Sequence, residues 1–169
     1  MTVYDEYFNK KFSGMAEGMF TATLAKIIKI DFEYMRCDVQ PLYHDEAKPI
    51  EDVPFGFMQN EDYLFRFPYK KDDIVFIVFC KEDMAPVLFE DGNREMAAER
   101  RFELDDAFVI GGLNLFTKPI TAIPKAHDES VLICRKDFRS RIEIDKDGKV
   151  IVETDQDTIV KAKNIHLNP

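Results

Sequence analysis

The chain predicts a mainly β protein in two parts: a small barrel, then a narrow β repeat whose core three copies share, with a short helix in front. Three observations predict it. Between residues 20 and 138, short β-branched and aromatic runs are broken at close spacing by Pro, Gly and Asp. Residues 141–168 restart every eight positions, at Arg141, Lys149, Asp157 and Ile165. The composition, 46% hydrophobic and 33% charged, is that of a folded chain.

The 169 residues suffice for one cored domain and an appendage. The expected division is an amino-terminal helical arm over 1–19, a barrel over 20–138 and a repeat segment over 139–169. The arm rests on the cap-like spacing from Thr2 to Asp5, followed by Val3, Tyr4, Tyr7, Phe8 and Phe12 near helical period, which predicts a helix over 3–12. Its apolar face suits ordinary packing or docking on another subunit.

Phe20 to Asp31 and Met35 to Leu42 predict a long first hairpin, and Val53–Phe57 and Tyr63–Phe67 predict short strands. Asp73 to Cys80 is continuously apolar after its first residue, as in a strand buried on both faces. A second short helix is expected within Glu95–Glu99, and Phe108–Leu113 reads as an apolar loop or strand. Val131–Cys134 is expected to close the domain. Five such strands suit the barrel that binds oligonucleotides and oligosaccharides.

Charge and motifs narrow the function classes. The balance of 23 basic to 32 acidic residues, net −9, argues against nucleic acid, whose phosphates demand clustered Lys and Arg. Phe55, Phe57, Tyr63, Phe65, Phe67 and Tyr69, with Arg66, Lys70 and Lys71 nearby, resemble a base-stacking strip, but alternating aromatics of this kind more often fill a core. Cys37, Cys80 and Cys134 have no metal-like spacing and read as buried free thiols of a chain folded in a reducing cytoplasm. The amino end lacks the pattern of a secretion signal, and no apolar run reaches the roughly 18 residues of a membrane span. Phosphate-binding loops, a nucleophile elbow, H-E-x-x-H and C-x-x-C are all missing. His44, His127 and His166 are scattered, and Asp72–Asp73 and Asp105–Asp106 read as solvated turns or helix starts. No catalytic residue is expected and the chain is not expected to be an enzyme.

The repeat poses a packing problem. Its inward candidates are Ile142 and Ile144, Val150 and Val152, Thr158 and Val160, paired at alternate positions so that each pair shares a strand face. Ordering a residue costs about 1–2 kcal/mol, and a fully buried aliphatic chain returns roughly 2 kcal/mol. Two inward residues in eight cannot hold such a tail alone. A plain hairpin on Asp147–Gly148 is one reading. The third and fourth restarts favour another, three chains intertwined about an axis and sharing one core.

In their order, the motifs resemble those of the membrane-puncturing central spike proteins of tailed-phage baseplates. The carriers are Asp38-Val39-Gln40-Pro41-Leu42, Val53-Pro54, Lys71 to Phe79, the stretch from Arg100 to Leu113, and the octads. The resemblance covers about Gly18 to Asn168. It implies a non-enzymatic homotrimer that caps a tail tube, joins hub and tail-tube proteins, and pierces the host envelope, with residues 139–169 as a triple-stranded β-helical needle. It further implies a place in a phage or phage-tail-like particle, with no cofactor beyond an iron or other metal at the tip, and a separate apex protein as a further partner. The chain departs from that pattern in three places. Asp72–Asp73 replaces the usual Gly-Asp, Phe102–Glu103 stands where a His is usual, and the usual His-x-His tip pair is reduced to His166-Leu167-Asn168. The octad register turns His166 inward while strand parity turns it outward. An adaptor that pierces nothing and a nucleic-acid-binding barrel with a hairpin tail are the competing classes.

Overall fold

A computed structural model of the chain describes residues 4, 6–7, 10–11, 21–43, 46–89, 101 and 103–166. Of the arm, Tyr4, Glu6, Tyr7, Lys10 and Lys11 are helical, and the rest lies outside the described residues, as does the helix expected within 95–99. The chain forms two compact units, Met1–Leu113 and Asn114–Pro169.

Unit 1 is a five-stranded antiparallel sheet that curls into a half-barrel. Its strands are β1 (Ala22–Asp31), β2 (Arg36–Pro41), β3 (Ile50–Pro54), β6 (Ile74–Phe79) and β7 (Ala107–Gly112), in the order β3-β2-β1-β6-β7. Between β3 and β6 lies a small hairpin of β4 (Met58–Gln59) and β5 (Leu64–Phe65). The first hairpin was legible in the sequence. Its turn works because Asp31 accepts hydrogen bonds from the amides of Glu33 and Tyr34 and binds Arg36, and these contacts, the Tyr34 amide first, hold its carboxyl below the ordinary range.

Alternation builds the core. Ala25, Ile27, Val39, Val75, Ile77, Ala107 and Val109 come from four strands and are almost wholly shielded from solvent. The sheet curls far enough for its ends to touch. Phe55 bridges Val109 in parallel, and the Gly56 amide donates to the Val109 carbonyl at 2.7 Å. This approach needs a glycine, because a Cβ at position 56 would lie 3.0 Å from both the Phe108 ring and the Val109 carbonyl. Gly56→Ala is therefore expected to destabilise unit 1 by about 1–3 kcal/mol, measurable as a lowered denaturant midpoint with unchanged slope.

Several expectations change. β6 is buried on one face only, and Phe76 on its other face is exposed. Cys37 is buried, and burial pushes its thiol up to about 12, whereas Cys80 and Cys134 are half-buried. Asp105 and Asp106 lie in the short 3₁₀ turn Leu104–Asp106, as the helix-start reading has it, but Asp106 is buried rather than solvated, with one carboxylate oxygen accepting the Met84 amide at 2.9 Å and its carbonyl accepting the Cys80 amide at 2.8 Å. Tyr63, Phe65 and Phe67 are exposed, while Phe55 is buried and stacks on Phe57 and Tyr69. Asp72 takes a left-handed φ of 70°, so this turn holds, without glycine, a conformation that glycine favours.

Unit 2 is a three-stranded antiparallel meander, β10-β9-β8 in order, of β8 (Val131–Cys134), β9 (Ser140–Ile144) and β10 (Val150–Thr154). Val131–Cys134 thus pairs with β9 instead of closing the barrel, and β7 is the fifth strand of the half-barrel. The boundary falls between residues 113 and 114 rather than at 138 and 139. Residues 140–154 pair within one chain as the hairpin reading has it. Gly148 takes φ 82° and its amide donates to the Asp145 carbonyl, while the Asp145 side chain accepts the amides of Asp147 and Lys149. No rung of a β-helix is present among the described residues of the single chain.

Candidate functional site

The two faces of the meander differ in how far one chain completes them. On the first face, register sets Val131 and Val150 beside Ile144, and Ile133 and Val152 beside Ile142. Six aliphatic side chains in two rows therefore share it. Val131 is 67% exposed, Ile133 51%, Ile142 48%, Ile144 45%, Val150 65% and Val152 63%, so nothing among the described residues of unit 2 covers them. At roughly 25 cal/mol per Å² of apolar surface, leaving six such chains in water forfeits a large stabilisation.

The opposite face is finished. Glu143, centrally placed on β9, is 1% exposed. One of its carboxylate oxygens lies 2.7 Å from His127 Nδ1 and accepts the Ser130 hydroxyl at 2.7 Å; the other accepts Arg141 Nε at 3.0 Å. Arg141 continues to Glu153 at 2.6 Å and lies over the Phe138 ring, whose centroid is 4.8 Å from that of His127. His127 reaches this place because the 3₁₀ turn Lys125–His127 folds against the strand. Phe138 holds a left-handed φ of 61° at the β8–β9 turn, which costs of order 1–3 kcal/mol and is held by these contacts.

The His127, Ser130 and Arg141 contacts, His127 first, lower the Glu143 carboxyl to about 2. The folded value lies below the ordinary 4.5, so the stabilisation is complete above that pH and is lost as pH falls from 4.5 toward 2. Acid titration of unit 2 unfolding is expected to show this loss, and Glu143→Gln is expected to flatten it while lowering stability at neutral pH. The cluster was invisible in the sequence, where His127 looked isolated; the i, i+2 pair Arg141–Glu143 was its one local signal. Both Ser130 and His127 point at the same carboxylate, so no hydroxyl–imidazole contact of a nucleophilic site forms.

Of the repeat residues, the structure brings Ile142, Ile144, Val150 and Val152 together on the open face, and it adds Val131 and Ile133, which the octad reading missed because they precede the repeat. Thr158 and Val160 are not with them. Residues 157–166 are exposed and carry no strand. His166 is exposed, and among the described residues no three His, Cys, Asp or Glu side chains group as metal ligands. One histidine per chain gives three nitrogens on a three-fold axis where a His-x-His pair gives six. Among the described residues, a single chain brings no second ligand to His166, and no role is assigned to a tip metal. No described helix is long and apolar enough to cross a membrane.

No protein-family model matches the chain, and no curated protein matches it.

Proposed function

We propose that the chain is a structural subunit of a contractile-tail baseplate, a homotrimeric central spike that caps the tail tube and opens the host envelope mechanically. The observation that carries this reading is the meander with one face sealed by Glu143 and the other face made of six uncovered aliphatic side chains. Three copies turning those faces to a common axis bury them together and leave the charged Lys146, Lys149 and Glu153 in water. Asp155 still pairs with Arg139, so β10 leaves the sheet at the Phe138–Arg139 end, and the unpaired segment from Asp157 onward runs on from there. That segment supplies the intertwined needle, with Thr158 and Val160 as its inward positions. Unit 1 fits the role of the attachment module. Its strand order and the parallel closure of Phe55 on Val109 support reading it as the five-stranded oligonucleotide-binding barrel, used here to join hub and tube proteins.

Electron microscopy of contractile tails purified from cells expressing the chain tests the role. Three-fold density at the distal end of the tube is expected, and absence of the chain from the particles contradicts it. A position inside the baseplate, away from the tip, would identify the adaptor instead. The exposed Tyr63, Phe65 and Phe67 beside Arg66, Lys70 and Lys71 favour a second reading, a nucleic-acid-binding barrel, which retention on single-stranded DNA at physiological salt would support.

A further inference from the structure

Among the described residues of unit 2, the meander leaves two strand edges open as well as one face, and their backbone phases are complementary. The amide of Asp155 donates to the Arg139 carbonyl and that of Asp145 to the Lys149 carbonyl, which fixes the phase of the β9–β10 ladder. Bonded pairs and unbonded pairs alternate along an antiparallel ladder. Residues 151 and 153 therefore point their backbone groups at β9, and Val150, Val152 and Thr154 point theirs away. The Arg135 amide donates to the Ser140 carbonyl, so on β8 the residues facing away are Leu132 and Cys134. Neither edge carries the proline or the lysine with which solvent-exposed edges are usually blunted.

We infer that β10 of one copy pairs in parallel with β8 of a second copy, so that the three meanders form one continuous sheet around the shared core. This rests on the trimer reading of the same face. Two arguments converge on parallel pairing. β8 and β10 run in the same direction, each being antiparallel to β9, and rotation about an axis along the strands preserves direction, so it brings unlike edges together in parallel. The second argument is parity. In a parallel pair, a residue bonding across the edge bonds to the two neighbours of the residue opposite it, and both opposed side chains share a face. Val152 bonding to Leu132 and Cys134 thus stands opposite Ile133, and both side chains lie on the aliphatic face. Antiparallel pairing would set Val152 opposite Leu132 or Cys134, joining the open face of one copy to the sealed face of the next. A stagger of two residues, such as barrel closure requires, leaves this parity intact.

Hydrogen exchange on the intact chain tests the pairing, with light scattering on the same sample. Two groups of amides distinguish edge from face: Val150, Val152, Thr154 and Cys134 at the edges, and Lys136 and Lys146, in the β8–β9 and β9–β10 turns and outside every ladder, as references. At trimer mass, edge amides exchanging at least about a hundredfold more slowly than the references are expected. In a mixed trimer of isotope-labelled and unlabelled copies, the Val152 amide is expected to show a cross-peak to an α-proton of β8 in another copy. Trimer mass with edge amides as fast as the references overturns edge pairing and leaves the trimer standing. A chain of 19.7 kDa overturns the trimer reading itself.

Discussion

Replacing Ile142 and Ile144 together by Asp is expected to leave the chain a monomer of 19.7 kDa with its strands intact. Both side chains lie in the middle strand of the open face, nearly half exposed in the single chain. Carboxylates there are solvated in a lone meander, and the β9 pairing to β8 and β10 survives. In the trimer the same change places six carboxylates in a shared apolar core. Each buried, unpaired charge costs several kcal/mol, far more than the aliphatic contacts return. Sedimentation reads the mass, and far-ultraviolet circular dichroism checks that strand content is unchanged. Persistence of the trimer in this variant would place the interface elsewhere.

The second large effect is expected in unit 1. Ile77 is fully buried, opposite Val109 on β7 and Thr23 on β1. Ile77→Ala removes contacts inside a core with few large side chains, because Ala25, Val39, Val75, Ala107 and Val109 cannot move in to fill the space. A loss of about 2–5 kcal/mol is expected, which for a domain of this size lowers its melting temperature by roughly 4–8 °C per kcal/mol. Calorimetry on the full chain reads it as a shift of the unit 1 transition. A loss below about 1 kcal/mol would mean that the half-barrel does not depend on this core as described.

The strands announced themselves wherever alternation coincided with a strong turn. Ala22–Pro41 and Ser140–Thr154 are hairpins because Asp31 and Gly148 satisfy their turns locally. Val131–Cys134 was assigned to the wrong unit because its apolar run does not reveal its partner, and only pairing with β9 does so. The two-sided burial expected for Asp73–Cys80 failed for a related reason: a continuous apolar run says what a strand could bury, not what covers it. Asp106 and Glu143 were illegible because their partners, Met84, His127 and Ser130, come from separate elements and are brought to them by folding. The aliphatic face was legible in part. The octads marked Ile142, Ile144, Val150 and Val152 as one set, while Val131 and Ile133 joined it only through the register of β8 on β9. Periodicity described the deficit of apolar burial correctly, and in the single chain that deficit persists.

The central claim is that the open face of the meander is the core of an assembly of identical chains. Light scattering on the intact chain across a range of concentrations tests it most directly. The account predicts a single species of three times the 19.7 kDa chain mass. A stable monomer at every concentration, with Ile142, Ile144, Val150 and Val152 left in water, would contradict it.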